Sequence, residues 1–146
     1  MKKVLGLLLA GSLILSQGII ANAAYREYIE DEYNDTMENA DKYNVYESNT
    51  YVYGTVNDYD DTDYFKLVAT TSGEMDIDLY FDEASSDIDI DFYIYDSSED
   101  ILTKISNCDG SENYRTYVDE NDYVYVRVDY DSGNLAEPYE LCFDMD

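Results

Sequence analysis

Four segments of this chain alternate apolar and polar residues with a period of two. In EMDIDLYF, Met75, Ile77, Leu79 and Phe81 share one side, and Asp76, Asp78 and Tyr80 the other. In IDIDFYIY, Ile88, Ile90, Phe92 and Ile94 alternate with Asp89, Asp91, Tyr93 and Tyr95. YVYVRVDY sets Val124, Val126 and Val128 against Tyr123, Tyr125, Arg127 and Asp129, and PYELCFDM sets Tyr139, Leu141, Phe143 and Met145 against Glu140, Cys142 and Asp144. Successive side chains point to opposite faces only in a strand, so each segment reads as a strand with one face in a core and one in water. Shorter candidates are Thr50–Val56, Tyr64–Thr70, Ile101–Ser106 and Asn113–Val118. Turn chemistry separates them at Ser72-Gly73, Ser85-Ser86, Ser97-Ser98, Asp109-Gly110, Asn121-Asp122 and Ser132-Gly133. Pro138 opens the last strand, where its missing N–H does least harm. About eight short strands with no long helix predict an all-β fold, an antiparallel two-sheet β-sandwich of jelly-roll type.

Three regions are expected. Residues 1–23 read as a signal peptide, with Lys2 and Lys3 before the apolar run VLGLLLAGSLIL and a cleavage signature at Ala21-Asn22-Ala23. Residues 24–45 read as an acidic lead-in with a helical turn around Asp35 to Lys42, and residues 46–146 as the sandwich. The expected product is a secreted, extracellular monomer with no membrane segment after signal cleavage.

The chain carries 34 acidic residues against 8 basic ones, a formal net charge of −26. Nucleic acid and anionic membranes are therefore poor partners, and cations good ones. There is no histidine, which removes Ser-His-Asp and Cys-His catalysis and His-ligated zinc. The two cysteines, Cys108 and Cys142, are expected to form a disulfide in an exported protein, two unpaired thiols being the alternative. Arg115 and Arg127 are expected to pair with neighbouring Asp on an outer sheet face.

The segment GTVNDYDDTDYFKL places Asp58, Asp60, Asp61 and Asp63 within six positions at the mouth of a strand. An EF-hand loop does not fit: counted from Asp58, position five is Thr62 and position six is Asp63 rather than glycine. A carboxylate pair for glycoside hydrolysis is a weak signal in so acidic a chain. Tyr80, Tyr93, Tyr95, Tyr123 and Tyr125 fall on outward positions. Flat, stiff, amphipathic side chains there suit binding to a protein or a polysaccharide; cross-strand pairing that stabilises the sheet is the alternative.

Four stretches together resemble the bacterial pre-peptidase C-terminal domain and the related collagen-binding domains of clostridial collagenases. Glu32-Tyr33-Asn34-Asp35-Thr36, with Ala40 beyond, is similar to the entry motif E-x-N-D-T-x-x-x-A. Gly54-Thr55-Val56 and then Asp61-Thr62-Asp63-Tyr64-Phe65 resemble its G-x-hydrophobic and D-x-D-Y-F elements. Ile88 to Asp96 looks like its acidic central strand, and Tyr123 to Val128 with Tyr139-Glu140-Leu141 like its last two. One departure is Asn121-Asp122, where the family usually has Gly before the Tyr-rich strand. The resemblance implies a β-sandwich and a structural calcium ion pinning the lead-in onto it. By position, the ligands would be Glu30, Glu32, Asn34 and Asp35 from the entry segment and Asp60 and Asp63 from the loop. The Thr55 carbonyl or Asp61 would support them. Such oxygens suit calcium, and a hydrogen-bonded turn is the alternative. The function so implied is non-catalytic binding of an extracellular protein or polysaccharide. The alternative is a structural or secretion-aid module.

Overall fold

The computed structural model describes residues 25–31, 33–56, 62–81, 89–108, 111–132 and 137–146. Ten strands run through them: β1 (Arg26–Ile29), β2 (Asp41–Val45), β3 (Thr50–Val56), β4 (Thr62–Ala69), β5 (Gly73–Phe81), β6 (Asp89–Tyr95), β7 (Ile101–Cys108), β8 (Glu112–Val118), β9 (Tyr123–Ser132) and β10 (Glu137–Met145). They form two five-stranded sheets. The first has the order β1-β3-β10-β5-β8, the second β2-β4-β9-β6-β7.

The alternating segments become strands because each buries one side. Met75, Ile77 and Leu79 of β5, Ile90, Phe92 and Ile94 of β6, Val126 and Val128 of β9, and Leu141 and Phe143 of β10 are all buried between the sheets. β10 lies between β3 and β5, with Leu141 opposite both Val52 and Leu79. The turn before β9 puts Asn121 at φ 68°, a left-handed conformation that Asn tolerates better than most residues, so it serves where the resembled family has Gly.

Two expectations are corrected here. The strands number ten rather than about eight, and the sheets are mixed rather than purely antiparallel. The lead-in supplies both additional strands: β1 pairs in parallel with β3, and β2 in parallel with β4. The helical turn expected between them shrinks to residues 36–39, closed by Asn39 N–H donating to the Thr36 carbonyl.

The third correction concerns the outward tyrosines. Tyr93, Tyr95 and Tyr125 stand on the outer face of the second sheet, yet only 9%, 8% and 8% of each is exposed. They form a second, smaller cluster against which Met37, Ala40, Tyr64 and half-buried Tyr123 pack. The turn before β2 thus covers what would otherwise be a wet face. The cations of this face also lie on the rings: Lys66 Nζ is 3.4 Å from the Tyr123 centroid, and Arg127 Cζ and Lys104 Nζ are each 4.7 Å from that of Tyr93. Arg127 is also ion-paired with Asp129, as expected. Of the five tyrosines, Tyr80 alone is clearly exposed, at 40%, and it stands on the other sheet.

A tyrosine buried on an outer face should count as core. Tyr95→Ala is expected to lower stability by about 2–4 kcal/mol, whereas Tyr117→Ala, at a position 65% exposed, should stay within about 0.5 kcal/mol. Urea denaturation of the two variants compares them directly.

Candidate functional site

Asp63 occupies a core-facing position. Along β4 the buried residues are Asp63, Phe65, Leu67 and Ala69, so a carboxylate stands in register with three apolar side chains. It is 2% exposed and needs hydrogen-bond partners to be tolerated there. They come from two other parts of the chain. The Tyr139 hydroxyl, on β10 in the opposite sheet, lies 2.6 Å from Asp63 Oδ2 and 2.6 Å from Glu30 Oε2. Thr55 N–H donates to Glu30 Oε1 at 2.6 Å, and Glu30 N–H donates to the Tyr53 carbonyl.

The phenol reaches this point through a gap left by Gly54, its cross-strand neighbour in β3. A Cβ at Gly54 would lie 2.3 Å from the Tyr139 ring and 2.5 Å from Glu30 Oε2. Phe65 meets the same ring edge-on, with centroids 6.4 Å apart. Burial, then the charges of Asp63 and Glu30, hold the Tyr139 hydroxyl well above the usual phenol range, so it remains a donor. One hydroxyl proton serves one carboxylate at a time.

Asn34 completes the group. It is fully buried, and its carbonyl accepts from Tyr64 N–H, which ties the entry segment to the start of β4. With its amide nitrogen turned inward, Asn34 donates to the Asp31 carbonyl and to Asp63 Oδ1, both at 3.2 Å.

The expected ligand set is thus partly assembled. Glu30 and Asp63 meet at one phenol, Asn34 reaches Asp63, and Thr55 contributes its N–H to Glu30. Asp35 is exposed beside them in sequence. Glu32, Asp60 and Asp61 lie outside the described residues. Tyr139 was missed by the sequence reading, which assigned it only to the core side of β10. Its signal was a tyrosine paired with a glycine, and pairing is invisible before register is known.

The expected disulfide is not made. Cys142 is a free thiol on the outer face of the first sheet, whereas Cys108 belongs to β7 at the edge of the second. Burial and then Asp78 and Asp144 push the Cys142 thiol up to about 11. Also on the first sheet's outer face, carboxylate oxygens of Asp76, Asp144 and Asp146 lie within 4.8 Å of one another. Arg115 pairs with Asp76, as expected from the sequence, and reaches Asp146 at 3.7 Å.

No family model matches the chain, and no curated protein matches it. Among solved structures, the pre-peptidase C-terminal domain of a collagenase from Bacillus anthracis superposes with a TM-score of 0.52 at 18% identity, over 72% of this chain and 94% of that one. A periplasmic inhibitor of g-type lysozyme from Aeromonas hydrophila superposes with a TM-score of 0.45 at 13% identity, over 84% of this chain and 97% of that one. The first likeness shows that the chain has the fold of the pre-peptidase C-terminal domain, as the sequence resemblance implies.

Tyr139→Phe removes the shared donor and leaves two buried carboxylates facing each other. The expected loss is about 1–3 kcal/mol, seen as a lower urea midpoint at unchanged slope. An unchanged midpoint would mean that the hydroxyl does not hold this junction. Alkylation by iodoacetamide near neutral pH should be slow at Cys142 in the folded chain, where the raised pKa leaves little thiolate, and fast in denaturant. Mass mapping of the Cys142 peptide reads both rates.

Proposed function

We propose that the chain is an exported, non-catalytic binding module whose entry segment is fastened to the sandwich by a calcium ion. The observation that carries the calcium reading is the meeting of two buried carboxylates, Glu30 and Asp63, at the Tyr139 hydroxyl. Asn34, buried beside them, reaches Asp63 Oδ1 and the Asp31 carbonyl through its amide group. Donors that are all oxygen, drawn from segments far apart in sequence, suit a hard cation of flexible coordination. Glu30, Asn34 and Asp63 would hold the ion, with Thr55, Glu32, Asp35, Asp60 and Asp61 the further candidates. The ion would neutralise charge at this junction.

Non-catalytic binding is supported by the fold likeness to a domain of a collagenase, and by the burial of the Glu30 and Asp63 carboxylates, 8% and 2% exposed, around a structural phenol. A hydrolytic pair needs an opening for a sugar between its carboxylates. The extracellular ligand is a protein or a polysaccharide, and the exposed Tyr80 belongs to the contact face.

A thermal melt in EDTA, in calcium and in magnesium at matched ionic strength tests the calcium reading. At a hundredfold excess over Kd the ion adds about 2.7 kcal/mol, a rise of several degrees in Tm. The expected rise is specific to calcium and is lost in Asp63→Asn. Equal effects of calcium and magnesium would reduce the cluster to a hydrogen-bonded junction.

A further inference from the structure

The two outer faces of the sandwich differ in charge. On the second sheet, Lys66, Lys104 and Arg127 lie over the tyrosine cluster, Lys104 and Arg127 balancing Asp91 and Asp129 of the same face. On the first sheet, the outward positions include Glu27, Glu74, Asp76, Asp78, Glu140 and Asp144. The outward cation among the described residues of that sheet is Arg115, already paired with Asp76.

A ridge of large side chains crosses this acidic face. The strand register aligns Ile29 with Tyr53, Tyr53 with Glu140, and Glu140 with Tyr80. Ile29 is 84% exposed, Tyr53 39% and Tyr80 40%. Tyr53 and Tyr80 sit two strand spacings apart, roughly 10 Å, across β10. Tyr53 separates two shallow hollows. One, of about 380 Å³, runs to Tyr80 and Pro138; the other, of about 330 Å³, runs to Glu27 and Ile29. The row therefore sets one carboxylate, Glu140, between two tyrosines, and the next row carries Glu27 and Asp78. Burial, then contact with carboxylates, raises both phenols: Glu140 and Glu27 act on Tyr53, and Asp78 acts on Tyr80.

We infer that this face docks a cationic polypeptide segment, its Lys or Arg side chains lying on Tyr53 and Tyr80 and pairing with Glu27, Glu140 and Asp78. Charge complementarity selects this occupant. Tyrosine faces attract ammonium and guanidinium groups, and the neighbouring carboxylates add ion pairs. An anionic partner would meet a face of its own sign. The inference rests on the binding-module reading and specifies its partner.

The test is calorimetric titration of the chain with a synthetic Lys-Ser repeat peptide at physiological salt, where diffuse attraction to a polyanion is screened. Tyr53→Ala with Tyr80→Ala should weaken binding roughly tenfold, and Glu27→Gln with Glu140→Gln by at least as much. Asp119→Asn with Glu120→Gln removes the same charge from the exposed turn before β9 and should leave affinity within about twofold. Thermal melts check that each variant is folded. Equal weakening by both charge pairs, with no effect of the tyrosine pair, overturns the inference in favour of diffuse charge attraction. Loss of peptide binding with retained binding of a neutral glucan overturns it and leaves the binding module standing. Self-association in place of peptide binding, abolished by the tyrosine pair, overturns it by showing a second copy as the occupant. Binding of neither peptide, glucan nor self overturns both.

Discussion

The hydroxyl of Tyr139 joins three parts of the chain that sequence keeps far apart. It stands on the central strand of one sheet, touches Asp63 on the other, and touches Glu30 at the end of β1. A carboxylate facing the core is tolerable only when donors meet it. That requirement sets much of what surrounds it: glycine at 54 to let the ring pass, Asn34 turned toward the same carboxylate, and Glu30 held by the Thr55 N–H. An apolar residue at 63 would have packed with Phe65 and Leu67 and left the entry segment with little to attach to. The polar junction thus trades local stability for a fixed path of the chain into both sheets.

Much of this fold was legible in the sequence, because a half-buried strand writes its orientation into every second residue. β3 was located to the residue, and β5, β6, β8, β9 and β10 to within one or two. β1 and β2 were not legible. REYI has no apolar alternation, and DKYNV carries it only in Tyr43 and Val45, too short a run to mark a strand at a sheet edge. Their parallel pairing depends on where a connecting turn lands, which is a tertiary fact. The same turn explains the tyrosines. Parity put Tyr93, Tyr95 and Tyr125 outward, and they are outward; Met37 and Ala40 then cover them. The direction of a side chain was readable, and its exposure was not.

The site was legible to a different degree. Glu30, Asn34 and Asp63 were singled out through a family resemblance, and alternation alone would have marked only Asp63 as an anomaly on the apolar side of its strand. Tyr139 looked like an ordinary core aromatic. Cys108 and Cys142 invited pairing because sequence gives their number and not their sheets. The charge contrast between the two faces was hidden for the same reason: a net charge of −26 is a sum, and it conceals that Lys66, Lys104 and Arg127 gather on one side.

β10 is the last of the described strands and the middle one of its sheet. Gly54 pairs with Tyr139, and Leu79 with Leu141, across long separations in sequence. Synthesis therefore produces two strand pairs, β1 with β3 and β5 with β8, that nothing joins into one sheet until residues near 140 emerge. Pairing of such long sequence separation is intrinsically slow. The strand that completes the first sheet also delivers the phenol that locks the entry segment in place.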